Sequence, residues 1–337
     1  MRLVLAAALL ALGFGAAQPT AVTLAGALEA ASLRPEVVNA EQELAGARRA
    51  LERAGADPLA LRMDRLQASQ RLELAEARLE LARVEARKEI TDAYLQLLES
   101  EAQRRLAQDA LALSEQALEI TRIRVEVGSA PEIELSEAQT SLKEAAGSLQ
   151  AAVEAEALAR DNLEGLLERE FDELAPAPPP QSALPAFNEL KAALAGHPTI
   201  MEVRHGASVA ELAVELLDPS YAPRVEIDQA QLQRDQALRM LAEVERGLRL
   251  QVQALHLQAT QAVDNLEVAQ DALRDAEARL DIERRRFDAG LSAEISLRRA
   301  ELDAASARLE AMVAAHEVLR SRDALAVAAA HDLESRE

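Results

Sequence analysis

The sequence predicts an all-α protein, built from very long antiparallel coiled-coil helices in two tandem repeats. Three observations carry that reading. Of the 337 residues, 49% are hydrophobic but only 2% aromatic, and Trp is absent. Ala and Leu supply the apolar surface and Glu, Arg and Gln most of the polar surface, a composition of long helices rather than of a sandwich or a doubly wound sheet. Apolar residues recur at seven-residue spacing over long stretches. Finally, the chain is written twice, at an offset close to 162 residues.

Residues 1–17 read as a signal peptide: Arg2 is followed by the apolar run Leu3 to Leu12 and the small residues Gly15, Ala16 and Ala17. The run falls short of the roughly 20 apolar residues a membrane-spanning helix needs. The expected product is an exported, periplasmic chain beginning at Gln18.

The first repeat, 18–175, divides into helical segments at 23–55, 59–127 and 131–171. A Pro-rich linker, 176–186, follows; its prolines lack amide hydrogens and hold the chain extended. The second repeat, 187–337, divides at 187–217, 225–289 and 293–333. Gly128 and Gly290 stand where helix C-caps are needed, and Pro131 suits a first helical position. The turns match residue by residue: Gly128, Glu132, Ile133, Leu135 and Ala138 answer Gly290, Glu294, Ile295, Leu297 and Ala300. Asp57-Pro58 answers Asp218-Pro219, and Arg34-Pro35 answers His197-Pro198. At 1.5 Å per residue the middle helices are each about 100 Å long. The short alternating run 224–228 reads as at most one extended piece.

In the first long helix, Leu111, Leu118 and Val125 form one seam, and Leu106, Leu113, Ile120 and Val127 a second on nearly the opposite side. In the second, Val252, Ala259, Leu266, Leu273, Leu280 and Phe287 form one seam, and Leu241, Leu248, Leu255, Ala262, Ala269 and Ala276 another. Two seams fit a helix with a neighbour on each flank, as in the wall of a helical barrel. A broad-faced helix in a monomeric bundle remains open.

The net charge is −21, with 37 basic against 58 acidic residues, so nucleic acid and anionic lipid are poor partners. Without cysteine there is no disulfide, thiolate metal site or Cys nucleophile. His316-Glu317 begins like a zinc-protease motif, but Arg320 stands where the second histidine belongs. His197 and His205 lack the i, i+4 spacing of a helical metal pair, and all five histidines read as surface residues. The chain is expected to be no enzyme, with no cofactor and no metal.

Two copies of short helix, long helix, glycine turn and third helix resemble the TolC outer-membrane efflux family. The closest matches are Phe287-Asp288-Ala289-Gly290 with Ile295, Leu297 and Ala300, and Val125, Gly128, Ile133, Leu135 and Ala138. The repeat openings, Thr23 to Leu28 running to Pro35 and Leu190 to Leu194 running to Pro198, add to it. The resemblance implies a homotrimer whose helices form a periplasmic tunnel for efflux or secretion. It places a periplasmic adaptor or inner-membrane transporter at the tips formed by Gly128, Ile133, Leu135, Gly290, Ile295 and Leu297.

Two features depart from the family. Its members carry a membrane hairpin between the short and long helices of each repeat, and a hairpin takes on the order of 25 residues. The segments after Asp57 and Asp218 are too short, so the membrane barrel is expected to be missing and membrane contact indirect. Ser296 and Arg299 stand where tightly closed members tend to place acidic residues, leaving Glu134 and Glu137 as candidates for an acidic constriction. The alternative is a non-transporting periplasmic spacer that kept the scaffold and lost the channel.

Overall fold

A computed structural model describes residues 21–181 and 183–331; the proposed signal peptide lies outside them. The helices are α1 (Leu24–Leu28), α2 (Pro35–Ala56), α3 (Arg62–Glu126), α4 (Glu132–Leu167), α5 (Phe187–Ala193), α6 (Pro198–Glu215), α7 (Arg224–Asp288) and α8 (Glu294–Ala329). The duplication is visible in their lengths: α3 and α7 have 65 residues each, α4 and α8 have 36 each. Among the described residues there is no strand beyond one isolated parallel bridge, Val22 with Leu174.

The opening segment of each repeat is broken rather than continuous. Pro35 and Pro198 start α2 and α6 and hold the preceding Arg34 and His197 extended, at ψ 140 and 129. The run 224–228 is not extended but is the first turn of α7, entered from Pro223 with Glu226 near the positive helix end. Five alternating residues are too few to resist an adjoining helix of this length.

α3 packs against α4 on one side and α8 on the other, and α8 packs in turn against α7. The four make one wall in the order α4, α3, α8, α7, neighbours antiparallel. α6 packs on α3 and α7, the two helices that flank α8. It starts where α8 stops, with Ile200 in one apolar cluster with Leu325, Ala328 and Ala329. α2 packs on α3 in the corresponding position of the first repeat.

This layout needs a double-sided α3. Leu95 and Leu97 are both completely buried although they lie two residues, about 200°, apart on the helix. Arg104, one heptad beyond Leu97, pairs with Glu156 of α4, whereas Glu99, on the other side, meets α8. The two seams expected in α3 therefore serve two neighbours as far as Leu113; Ile120 and Val127, at the end of the second seam, are exposed. In α7 the two seams do not serve two neighbours. Its expected rows, Val252 with Ala259 and Leu255 with Ala262, lie three residues apart, so they form one broad face against α6 and α8. The opposite side of α7 carries exposed Leu232, Leu250, Leu257, Val268 and Ile282.

The repeats are equivalent contact by contact. Glu41 of α2 pairs with Arg83 of α3 at 3.2 Å; the matching positions, Arg204 of α6 and Glu245 of α7, pair at 3.6 Å with the charges exchanged. Arg104 with Glu156 corresponds to Leu266 with Val318, which share a buried cluster. The Tyr94 hydroxyl lies 2.9 Å from the Val22 carbonyl oxygen, and the matching His256 ring nitrogen lies 3.2 Å from the Pro185 carbonyl oxygen. Tyr94 is also 2.5 Å from the Ala175 carbonyl oxygen, so one buried phenol ties both ends of the first repeat to α3. Burial, opposed by the Ala175 hydrogen bond, pushes its ionisation up to about 12.

The two repeats meet at a polar joint. His316 of α8 is buried, with Nδ1 2.8 Å from Glu99 Oε1 of α3, and Arg320 donates to the same oxygen at 2.9 Å. Arg320 also approaches Asp92, which pairs with Lys88. His197 is buried as well and accepts from the Thr199 amide as the N-cap of α6. The reading of all histidines as surface residues is thus corrected at two positions, one for capping and one for joining the repeats. Burial pushes the Glu99 carboxyl up, but the hydrogen bonds from His316 and Arg320 outweigh it and hold the pKa below its ordinary 4.5.

Two outcomes follow from these contacts. Tyr94→Phe removes the hydroxyl donor shared by the Val22 and Ala175 carbonyls, of which Val22 keeps the Ala175 amide, and should cost about 1 kcal/mol in denaturant unfolding at constant m-value. Because the Glu99 pKa is lower in the folded state, its stabilisation is complete well above pH 4.5 and is lost as pH falls through the folded value. Glu99→Gln should therefore lower stability at neutral pH and flatten the acid limb of a stability–pH profile below pH 4.5.

Candidate functional site

The features that sequence analysis singled out lie at the two helix–turn–helix tips. In the first, the Gly128 amide donates to Val125 at 2.9 Å and the Ser129 amide to Arg124 at 2.8 Å. In the second, Gly290 donates to Phe287 and Leu291 to Arg286, each at 2.8 Å. This paired pattern, closing on a left-handed residue, satisfies the last carbonyls of α3 and α7. Gly128 and Gly290 have φ of +73 and +71, which only glycine adopts without strain. A Cβ at either position would meet no atom within 4 Å, so backbone conformation rather than space sets the residue. Pro131 stands as the N-cap of α4, one residue before its expected first helical position.

Both tips lie at one end of the wall. Asp109, Leu113 and Gln116 of α3 line a crevice with Arg298 and Leu302 of α8, which places the α3 end beside the α8 start. Ile133 is exposed, while Leu135, Ile295 and Leu297 are half-buried. Sequence reasoning placed Val127 in a packed seam and missed Leu291; they are 71% and 76% exposed at the two turns. Their places directly before Gly128 and after Gly290 were the available signal, since a cap residue points away from the helix pair. Glu134 pairs with Arg124 across the turn at 3.2 Å, so its charge is largely compensated. Glu137 is exposed.

Elsewhere the surface carries charge without a catalytic arrangement. A crevice of about 840 Å³ between α2 and α3 is lined by Glu41, Leu44, Arg48, Glu76 and Arg83, among others. Its ions are paired across the groove, Arg83 with Glu41 and Arg48 with Glu76. Among the described residues no group of His, Cys, Asp and Glu could hold a metal ion. None of the described helices is long and apolar enough to cross a membrane.

Residues 60–168 match the sequence family described as outer membrane efflux protein. No curated protein sequence matches the chain. Among solved structures, the outer-membrane channel OprN superposes with a TM-score of 0.67 at 16% identity, over 92% of this chain and 90% of that one. The Vibrio cholerae outer membrane protein VceC gives 0.64 at 15% identity, over 92% and 97%. The Campylobacter jejuni outer membrane channel CmeC gives 0.64 at 12% identity, over 93% and 87%. These likenesses are of fold; OprN and CmeC are described as outer-membrane channels and VceC as an outer membrane protein. With α2 and α3 joined by residues 57–61, and α6 and α7 by 216–223, the chain has the helical fold of these outer-membrane proteins with connections too short for membrane hairpins, and its residues 60–168 are similar to the outer membrane efflux protein family.

Proposed function

We propose that the chain is the periplasmic duct component of an efflux or secretion system. Copies stand side to side as a homotrimer around a helical tunnel, exported across the inner membrane and associated with the outer one. The observation that carries this reading is the pair of unlike open edges on the wall. One edge is α7, with Leu232, Leu250, Leu257, Val268 and Ile282 exposed; the other is α4, with Val153 and Leu158 exposed. A bundle complete in one chain would have sealed such rows. Unlike edges join head to tail, and such contacts close into a ring when the rotation permits. The fold shared with outer-membrane channels supports the same arrangement.

The tips are the coupling surface, with Ile133, Val127 and Leu291 exposed to an adaptor or inner-membrane transporter around the Gly128 and Gly290 turns. Glu137 is the better candidate for an acidic constriction, because Glu134 is already paired with Arg124. A second reading, a non-conducting periplasmic spacer, is favoured by one observation. The connections 57–61 and 216–223 leave no room for membrane strands.

Light scattering of the chain beginning at Gln18, in the absence of detergent, separates the two. The duct reading expects about three times the single-chain mass at micromolar concentration. A monomer persisting at the highest attainable concentration would overturn it in favour of the spacer.

A further inference from the structure

The connections that are too short for membrane strands are not an ordinary solvated surface. Residues 57–61 and 216–223 lie together at one end of the wall, because Arg62 at the start of α3 pairs with Glu215 at the end of α6, 2.7 Å apart. With 65 residues in each long helix, that end stands about 100 Å from the Gly128 and Gly290 turns. Four large apolar side chains are open there: Leu59 is 86% exposed, Leu61 67%, Leu216 56% and Tyr221 87%. Pro58, Pro219 and Pro223 are exposed among them. The chain has two tyrosines; Tyr94 is buried, which leaves Tyr221 as the exposed one.

Local structure holds this patch out. The Asp57 carboxylate accepts from the Leu59 amide at 2.9 Å, and the Asp218 carboxylate from the Ser220 amide at 2.8 Å, the same turn in each repeat. The Tyr221 and Ala222 amides then donate to the Asp218 carbonyl oxygen, at 3.0 and 2.9 Å. With the prolines also fixing the backbone, the Leu and Tyr side chains are presented at little further cost in ordering. Asp57 and Asp218 are the only charged residues of the two connections, and both are turned to their own backbone. The neighbouring charges are engaged as well: Arg62 with Glu215, Asp64 with the Leu61 amide and Arg65 with the Asp57 carbonyl oxygen. Arg224 and Glu226, just beyond Pro223, carry opposite signs.

Size and charge together say what covers the patch. Four side chains are far fewer than the roughly 20–30 residues a side of a stable protein interface. A polypeptide partner would also need a charge or a groove to match, and the two connections offer neither. A lipid surface needs neither: Leu enters its acyl boundary and Tyr settles at the headgroup level. With no Lys or Arg in either connection, attraction to anionic headgroups is not the source.

We propose that this end of the chain seats on a neutral lipid surface, with Leu59, Leu61, Leu216 and Tyr221 entering the headgroup boundary where membrane strands are missing. This seating rests on the reading of the chain as a duct associated with the outer membrane and adds which residues make the contact. From one copy the contact is weak and reversible. Copies standing in a ring present the patch several times over from one end, and their contacts reinforce one another.

Trp is absent from the chain, so a single introduced one reports its own surroundings. In the chain beginning at Gln18, which keeps every described residue, Tyr221→Trp fluorescence should shift to the blue on adding phosphatidylcholine vesicles. It should also be quenched by lipids brominated on their acyl chains, equally at low and high salt. Leu291→Trp, at the opposite end, should do neither. Leu59→Ser combined with Tyr221→Ser should reduce the protein that floats with the same vesicles about tenfold or more, with helical circular dichroism and solution mass unchanged. A chain that forms the ring but leaves vesicles alone overturns this proposal and spares the duct. A blue shift without lipid, at concentrations where the mass doubles, places a second copy on the patch, and an equal response from Leu291→Trp means indiscriminate sticking; either overturns it too. Vesicle binding by a chain that stays monomeric upholds the lipid contact while the ring falls.

Discussion

The constraint on which the rest depends is that α3 must hide two apolar rows facing opposite ways. Leu95 and Leu97 cannot be covered by one neighbour, because side chains two apart on a helix point in nearly opposite directions. A lone helix pair leaves one row wet, and a round bundle would bend the rows together. A flat or curved wall satisfies both. Once α3 stands between α4 and α8, the positions of α2, α6 and α7 follow from chain connectivity and antiparallel packing. Each repeat is left with one open edge, α4 in the first and α7 in the second.

Within that wall, geometry is more faithful than chemistry. The place where Arg104 meets Glu156 in the first repeat is filled by Leu266 and Val318 in the second. The phenol that holds the Val22 carbonyl becomes the imidazole that holds the Pro185 carbonyl. Such exchanges are tolerated because each keeps the site satisfied: a buried ion pair tolerates loss of both charges far better than loss of one. The Glu99, His316 and Arg320 joint shows the same economy, with one carboxylate oxygen answering two donors.

Much of this was legible in the sequence. The duplication, the helix spans and the glycine turns needed only periodicity and the conformational demands of Gly128, Gly290, Pro35 and Pro198. The second seam of α7 was misjudged because a seven-residue period gives the row but not its angle to the next. Leu255 lies beside Val252, not across from it. His316 was read as surface because its partner, Glu99, is 217 residues away in sequence. Local pattern cannot show a partner at that distance. At the tips, the glycines and apolar residues were identified, but not the compensation of Glu134 by Arg124 across the turn.

The exchanged ion pair bears on how a duplicated chain avoids folding onto the wrong half of itself. Were the first short helix to settle on the second long one, Glu41 would face Glu245; the reverse error would set Arg204 against Arg83. Each clash is weak at an exposed position, a few tenths of a kcal/mol. It nevertheless opposes an error that helices of equal length and similar pattern invite. Inverting one charge pair between otherwise interchangeable halves therefore marks each short helix for its own long partner, and lets a repeated sequence specify a single, unswapped chain path.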